Sequence, residues 1–149
     1  MDVPPRKVEI QITIFEASRA GTPNDPPDLM GGTSGRLRSL MKYTHFGVLG
    51  TSSVVVMEGQ ESFMTFERPQ GGYKVHVRVE YVDDERNFIG LKPFDLLREK
   101  VDAAGKPLYV TLLSTSLNPR ADQPLLVGGA RSEDAPNAIF CALRVRILE

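Results

Sequence analysis

Residues 8–14 read Val-Glu-Ile-Gln-Ile-Thr-Ile, so every second side chain in this stretch is apolar. Successive side chains of a β-strand point to opposite faces, and this alternation therefore predicts a strand with one buried face. The same alternation occurs in residues 73–81 and in residues 139–147. In residues 139–147, Phe140 and Ala142 make the second face apolar as well. We therefore expect the first half of that strand to be buried on both faces.

Two shorter stretches between the first and second of these strands also favour extended structure. Residues 53–57 are rich in β-branched side chains, and residues 61–67 contain Phe63, Met64 and Phe66. We expect these to be neighbouring strands around the turn Glu58-Gly59-Gln60. The sequence Pro69-Gln70-Gly71-Gly72 then predicts a hairpin turn into the strand of residues 73–81.

The second half of the chain contains further strand signals. Residues 88–97 are extended in character but include Pro93, which cannot donate a hydrogen bond to a neighbouring strand. We therefore expect this stretch at a sheet edge, or split into two strands. Residues 108–115 and 125–127 follow, and the turn residues at 118–122 predict that they form another hairpin.

One segment has the period of a helix. Thr33 or Ser34 can cap its start, and Leu37, Leu40 and Met41 fall on one helical face. We predict a short helix there, and a loop in the preceding residues, which contain three prolines between positions 21 and 32.

The composition describes one ordinary folded domain. The 149 residues carry 18 basic and 19 acidic side chains, a formal net charge of −1, and 41% are hydrophobic. The sequence contains no internal repeat and no long linker, so we predict a single β-rich domain over residues 1–149. The predicted fold class is mainly β, an antiparallel β-sandwich with one short α-helix.

Charge and hydropathy narrow the possible partners. The near-zero net charge gives no basic field for phosphates, so nucleic acid is not an expected partner. No apolar run reaches the roughly 18 residues of a membrane helix, so we expect no transmembrane segment. Residues 1–7 lack the apolar centre of a secretory signal. We therefore expect a cytoplasmic protein as written, or a periplasmic or cell-envelope protein if a leader has been removed.

The reactive residue types favour packing and surface roles over catalysis. Cys141, the single cysteine, lies on an apolar strand face, where a thiol packs as a small hydrophobe. His76 lies on the polar face of its strand between Lys74 and Arg78, and we expect it to be solvated. His45 follows the predicted helix, where an imidazole can cap the last carbonyl groups.

No catalytic, cofactor-binding or metal-binding residues are predicted. The histidines and the cysteine are too far apart in sequence for zinc-type spacing. Asp25 and Asp28, and the run Asp83-Asp84-Glu85, do not match a calcium-binding loop. The pairs Gly31-Gly32, Gly71-Gly72 and Gly128-Gly129 lack the Gly-Lys-Ser/Thr ending and the strand-then-helix context of a phosphate loop, and no nucleophile-elbow motif is present. We therefore expect a protein that is not an enzyme.

Three stretches resemble the C-terminal β-domain of bacterial secretins and secretin-like proteins. Residues 5–17 resemble the opening strand of that domain, an alternating apolar stretch that ends in a glutamate and a small residue. Residues 112–117 are similar to the strand before its late hairpin. Residues 123–130, with an apolar triplet followed by Gly128-Gly129, resemble its ending. The resemblance implies a non-enzymatic β-rich module whose relatives assemble by pairing the edges of subunits.

Two functional hypotheses follow from this sequence. The first is a structural or assembly module, a β-sandwich that binds protein partners or further copies of itself through strand edges and exposed apolar side chains. The second is a module that binds a small ligand or calcium between the loop of residues 18–35 and the turn of residues 83–87.

Overall fold

The computed structural model describes residues 4–18, 45–68, 71–131 and 138–148. Eight strands occupy most of this part of the chain: β1 (Lys7–Ser18), β2 (His45–Met57), β3 (Glu61–Phe66), β4 (Tyr73–Asp83), β5 (Phe88–Val101), β6 (Pro107–Leu117), β7 (Leu125–Arg131) and β8 (Ala138–Leu148). The mainly β class is therefore confirmed. The predicted helix and the loop before it fall outside the described residues, and no membrane-spanning helix is found in the described ranges.

The strands form two antiparallel sheets of four. Sheet A has the order β2-β1-β8-β7, and sheet B has the order β3-β4-β5-β6. The strongest alternations in the sequence belong to β1, β4 and β8, which are all interior strands. Interior strands of a sheet with one covered face must bury every second side chain, which is why these three strands were the easiest to predict.

One apolar cluster joins the two sheets. Sheet A contributes Val8, Ile10, Ile12 and Ile14 from β1, and sheet B contributes residues such as Val75, Val77 and Phe94. These side chains are fully buried. Burying an aliphatic or aromatic side chain of this size contributes about 1.5–3 kcal/mol, so this cluster is the main source of stability.

A second apolar cluster lies on the opposite face of sheet A. It consists of Phe15, Ala17, Phe46, Ala138, Phe140 and Ala142, all buried. The rings of Phe15 and Phe140, which are directly opposite on β1 and β8, stack with their centroids 5.5 Å apart. The prediction that the first half of β8 is buried on both faces is therefore confirmed.

Two predicted strand neighbours belong to different sheets. The turn at residues 58–60 occurs as predicted, and Gln60 N donates to the Met57 carbonyl at 2.9 Å. However, it leads from β2 in sheet A to β3 in sheet B. The predicted hairpin of residues 108–115 and 125–127 is wrong for the same reason, because β6 and β7 lie in different sheets. A turn signal marks a change of direction but does not say which strand the chain pairs with next.

The predicted hairpin between β3 and β4 is confirmed. Gly72 lies so close to the preceding strand that a Cβ at this position would meet the Phe66 carbonyl oxygen and the Glu67 backbone. Only glycine fits such an approach of two backbones, which explains the glycine at this turn.

Pro93 does not mark a sheet edge. It lies in β5, which pairs with β4 on one side and with β6 on the other. The pairing with β4 and with β6 shifts register near this proline, between Leu91 and Phe94. The missing N–H group is accommodated by an irregularity within an interior strand, which is the other position where sheets tolerate proline.

Candidate contact surface

The outward face of sheet B presents one continuous row of side chains, one from each strand. Phe63 of β3 is opposite His76 of β4, His76 is opposite Asp95 of β5, and Asp95 is opposite Ser114 of β6. We call these four residues the cross-strand row. Residues opposite each other on antiparallel strands have neighbouring Cβ atoms, so the register places these side chains in contact.

Hydrogen bonds connect the polar members of the cross-strand row. Ser114 Oγ donates to Asp95 Oδ1 at 2.5 Å, and Asp95 Oδ2 lies 3.2 Å from His76 Nδ1. The other ring nitrogen, His76 Nε2, lies 2.7 Å from Glu61 Oε2. Both nitrogens of the imidazole therefore face carboxylates, which is the arrangement that a protonated imidazole with two N–H donors satisfies.

The two carboxylates favour the charged form of His76. Desolvation by burial lowers the pKa of His76, but the hydrogen bonds and charges of Glu61 and Asp95 outweigh it, and the pKa is raised above its usual 6.5. His76 lies on the outward face of the sheet, as predicted. However, its side chain is largely covered, and both of its ring nitrogens form hydrogen bonds with carboxylates.

The order of contacts differs from that of a nucleophilic triad. In a triad the serine hydroxyl bonds to the histidine, which can then take its proton. Here the Ser114 hydroxyl donates to Asp95, and His76 lies on the other side of that carboxylate. The cross-strand row therefore has no serine activated by an imidazole.

The row ends in an aromatic side chain, Phe63, and a second one, Tyr109, lies beside it. The Phe63 ring stacks on the His76 ring with centroids 4.4 Å apart, and both Phe63 and Tyr109 are about half exposed. Lys74 Nζ lies 4.7 Å from the centroid of Phe63 and 5.0 Å from that of Tyr109. A cation between two rings fixes their orientation while leaving their outer surfaces in solvent.

The two rims of the molecule, where the sheet edges meet, differ in how well the core is covered. At the rim of β2 and β3, Val56, Met64 and Phe66 are at most 5% exposed, while Leu49 and Val54 of β2 are partly buried. At the rim of β6 and β7, the inward side chains of Leu112, Leu113, Leu117 and Leu125 are only partly buried. We call this second rim the open rim.

The β6 strand at the open rim carries no charged side chain. Its 11 residues read Pro-Leu-Tyr-Val-Thr-Leu-Leu-Ser-Thr-Ser-Leu, and it pairs with β5 alone among the described strands. Natural sheets usually protect such edges with charges or with prolines inside the strand. The register with β5 shifts at Leu112, so that Leu112 and Leu113 both pack against the core.

Cys141 is buried, as predicted. Its side chain has no exposed surface, and burial raises the pKa of the thiol to about 12. A thiol at this depth stays protonated at neutral pH, so Cys141 serves the packing of the core.

His45 is the first residue of β2, where it is opposite Ser18 of β1. The helix that His45 was predicted to cap lies outside the described residues, as do Asp25, Asp28 and Gly31-Gly32. The other glycine pairs lie at strand turns and bulges: Gly71-Gly72 precedes β4, and Gly128 stands at the irregularity of β7.

Two of the three carboxylates of the turn at residues 83–87 already interact with other groups of the chain. Asp83 Oδ1 accepts a hydrogen bond from the Arg86 N–H at 3.1 Å, and Asp84 pairs with Arg6 at 3.2 Å. Among the described residues no three histidine, cysteine or acidic side chains are grouped as metal ligands. In the described half of the predicted ligand site, Asp83 and Asp84 therefore already have partners within the chain.

The cross-strand row was not found from the sequence. His76 was singled out, but Asp95 and Ser114 were not, because their meeting depends on how three strands align. The alternation identifies which residues face outward, whereas the register is set by turns and bulges that local patterns do not specify.

Comparisons of the chain with known proteins found no relative. No family model matches the chain, and no curated protein or solved structure shows significant similarity to it.

Proposed function

We propose that this chain is a β-sandwich that acts as a non-catalytic structural or assembly module through protein–protein contacts. The observation that supports this most directly is the open rim. Its edge strand is uncharged and has a free edge among the described strands, next to leucines that are only partly buried.

The chemistry of the outward face is consistent with a contact role. The titratable groups of the cross-strand row bond to one another, which holds them in place. Half-exposed aromatic rings beside them are the side chains most often found at the centre of protein interfaces. This combination supports a surface that is rigid before it meets a partner.

The resemblance to secretin-like β-domains agrees with this proposal, since members of that family act by assembly. It remains a prediction based on residues 5–17, 112–117 and 123–130. In this interpretation the chain belongs to a bacterial envelope assembly and contributes one β-rich module to it.

The test is multi-angle light scattering over a concentration series, combined with affinity capture on the immobilised chain. We expect the mean mass to rise with concentration, or a defined protein to be retained at a stoichiometric ratio and to bind again when purified. A strict monomer at high concentration that retains no protein would contradict the proposal.

A further inference from the structure

We infer that residues 107–111 of β6 pair antiparallel with the same residues of a second copy of the chain, around a two-fold axis at Tyr109. This inference rests on the proposed contact function and specifies its partner and its edge. Such a pairing would join the B sheets of two molecules into one continuous sheet.

Exposure is the first observation behind this inference. Leu108 and Tyr109 are 42% and 45% exposed, and Val101, next to them on β5, is 65% exposed. Pro107 is opposite Val101 in the register, so all three side chains lie at one end of the β5–β6 hairpin. Leu108 and Tyr109 belong to the edge strand itself, so these two side chains lose solvent contact if another strand is added there.

The bulge in β6 determines which part of the strand can pair regularly. The register with β5 is unbroken from Pro107 to Thr111 and shifts at Leu112. A new strand meets the fewest irregularities along residues 107–111, and the middle of that stretch is Tyr109. A two-fold axis there sets Tyr109 opposite its own copy, and Leu108 opposite Val110 of the second copy.

The charge pattern favours a second copy as the occupant. A symmetric antiparallel pair brings the residues at its two-fold axis near their own equivalents, so a charge close to the axis would lie near a like charge. β6 has none. The facing side chains are instead two tyrosines, which prefer to pair, and leucine with valine, which pack together on a pleated surface.

The β2 edge is the main competitor, because it also lacks acidic and basic residues other than His45 and exposes Val55. Two observations argue against it. At the rim with β3, Val56, Met64 and Phe66 are at most 5% exposed, so most of the core behind β2 is covered, with Leu49 and Val54 partly buried. In addition, Arg68 Nη1 donates to the Leu49 carbonyl at 2.9 Å, which occupies part of the β2 backbone.

The first experiment compares Tyr109→Lys with Val55→Lys by sedimentation equilibrium over a concentration series. Both positions are outward-facing and about half exposed. Tyr109→Lys also places an ammonium group beside Lys74 within the same chain, so thermal melting checks that each variant is folded. Tyr109→Lys sets two ammonium groups opposite each other at the axis. We expect it to weaken self-association by about tenfold or more, and Val55→Lys to leave it unchanged.

The second experiment locates the contact by the formation of a covalent dimer and not by a loss of self-association. Tyr109→Cys and Val55→Cys are each treated with a short bismaleimide, and the native Cys141 is shielded by burial. We expect a covalent dimer with Tyr109→Cys only. A dimer with Val55→Cys alone, or with both variants equally, would overturn the inference.

The outcomes separate this inference from the proposed function. If the chain self-associates but only Val55→Lys weakens it, the contact function stands and the β6 pairing is overturned. A monomeric chain that binds a synthetic peptide of alternating valine and threonine would assign the edge to the strand of a different partner, and overturns the two-fold pairing. A monomer that binds neither contradicts both.

Discussion

The residues around His76 favour the protonated form of its imidazole. Its pKa is raised in the folded chain by Glu61 and Asp95, despite the opposing effect of burial. A raised pKa means that the stabilising contribution is fully present below pH 6.5, the ordinary value, and is lost as the pH rises through the folded value. The charge on this imidazole therefore links the stability of sheet B to pH near neutrality.

We predict that His76→Asn costs more stability at pH 6 than at pH 8.5. Asparagine keeps a polar side chain but does not titrate, so the difference between the two proteins should shrink as His76 loses its proton. Urea denaturation of both proteins at the two pH values measures this difference. The matched control is Glu61→Gln with Asp95→Asn, which keeps the histidine but removes both groups that raise its pKa, so the loss of stability towards pH 8.5 should disappear. A difference that grows towards pH 8.5 would contradict the prediction.

Among the elements, β6 combines a regular half with an irregular one. Its extra residue at Leu112 lets two consecutive leucines face the core, while Ser114 beyond them still faces outward to Asp95. Removing one residue at the bulge would leave the side chains on both sides of it on their original faces. In a regular strand the same removal turns every later side chain to the opposite face.

We therefore predict that deleting Leu112 leaves a folded protein. The cost should be about 1–3 kcal/mol, since one partly buried leucine is lost. Deleting Leu143, a leucine of the regular pairing between β8 and β1, should leave no cooperative unfolding transition. Circular dichroism and urea denaturation of the two deletions give the comparison. Equal damage by both deletions would show that the bulge does not absorb a change in register.

Strand location could be predicted from the sequence, but strand pairing could not. Residues 8–14 and 73–81 lie in the described strands β1 and β4, because alternation is a local pattern and both strands have a buried face. The partner of β1 is β8, at the far end of the chain. Pro93 was misplaced because a proline excludes a regular interior position, whereas β5 has an irregular one. The cross-strand row depends on these registers, so the sequence pattern predicts only the outward position of His76.

For the whole molecule, stability comes mainly from the cluster between the sheets. Phe94 of β5 is fully buried there, whereas Phe63 of β3 lies on the outward face and is about half exposed. Both residues are phenylalanines of sheet B, so the same substitution at each position compares the two faces of this sheet directly.

We predict that Phe94→Ala destabilises the fold by about 3–5 kcal/mol, and that Phe63→Ala costs about 1 kcal/mol or less. The first change leaves a cavity in the core, while the second removes a ring that is partly in solvent. Chemical denaturation at pH 7 measures both values. Similar losses for the two variants would mean that the outward face is covered in the native protein.

The stacked pair Phe15 and Phe140 lies where β1 and β8 run side by side, each bonded to a strand on both sides. There the backbone has apolar layers above and below it, one from each buried cluster. Solvent can reach those amide hydrogens only when the whole fold opens. In heavy water, the peptide groups around residues 12–15 and 139–142 should therefore be the last to take up deuterium, and their exchange rates should report the global opening free energy of the native state.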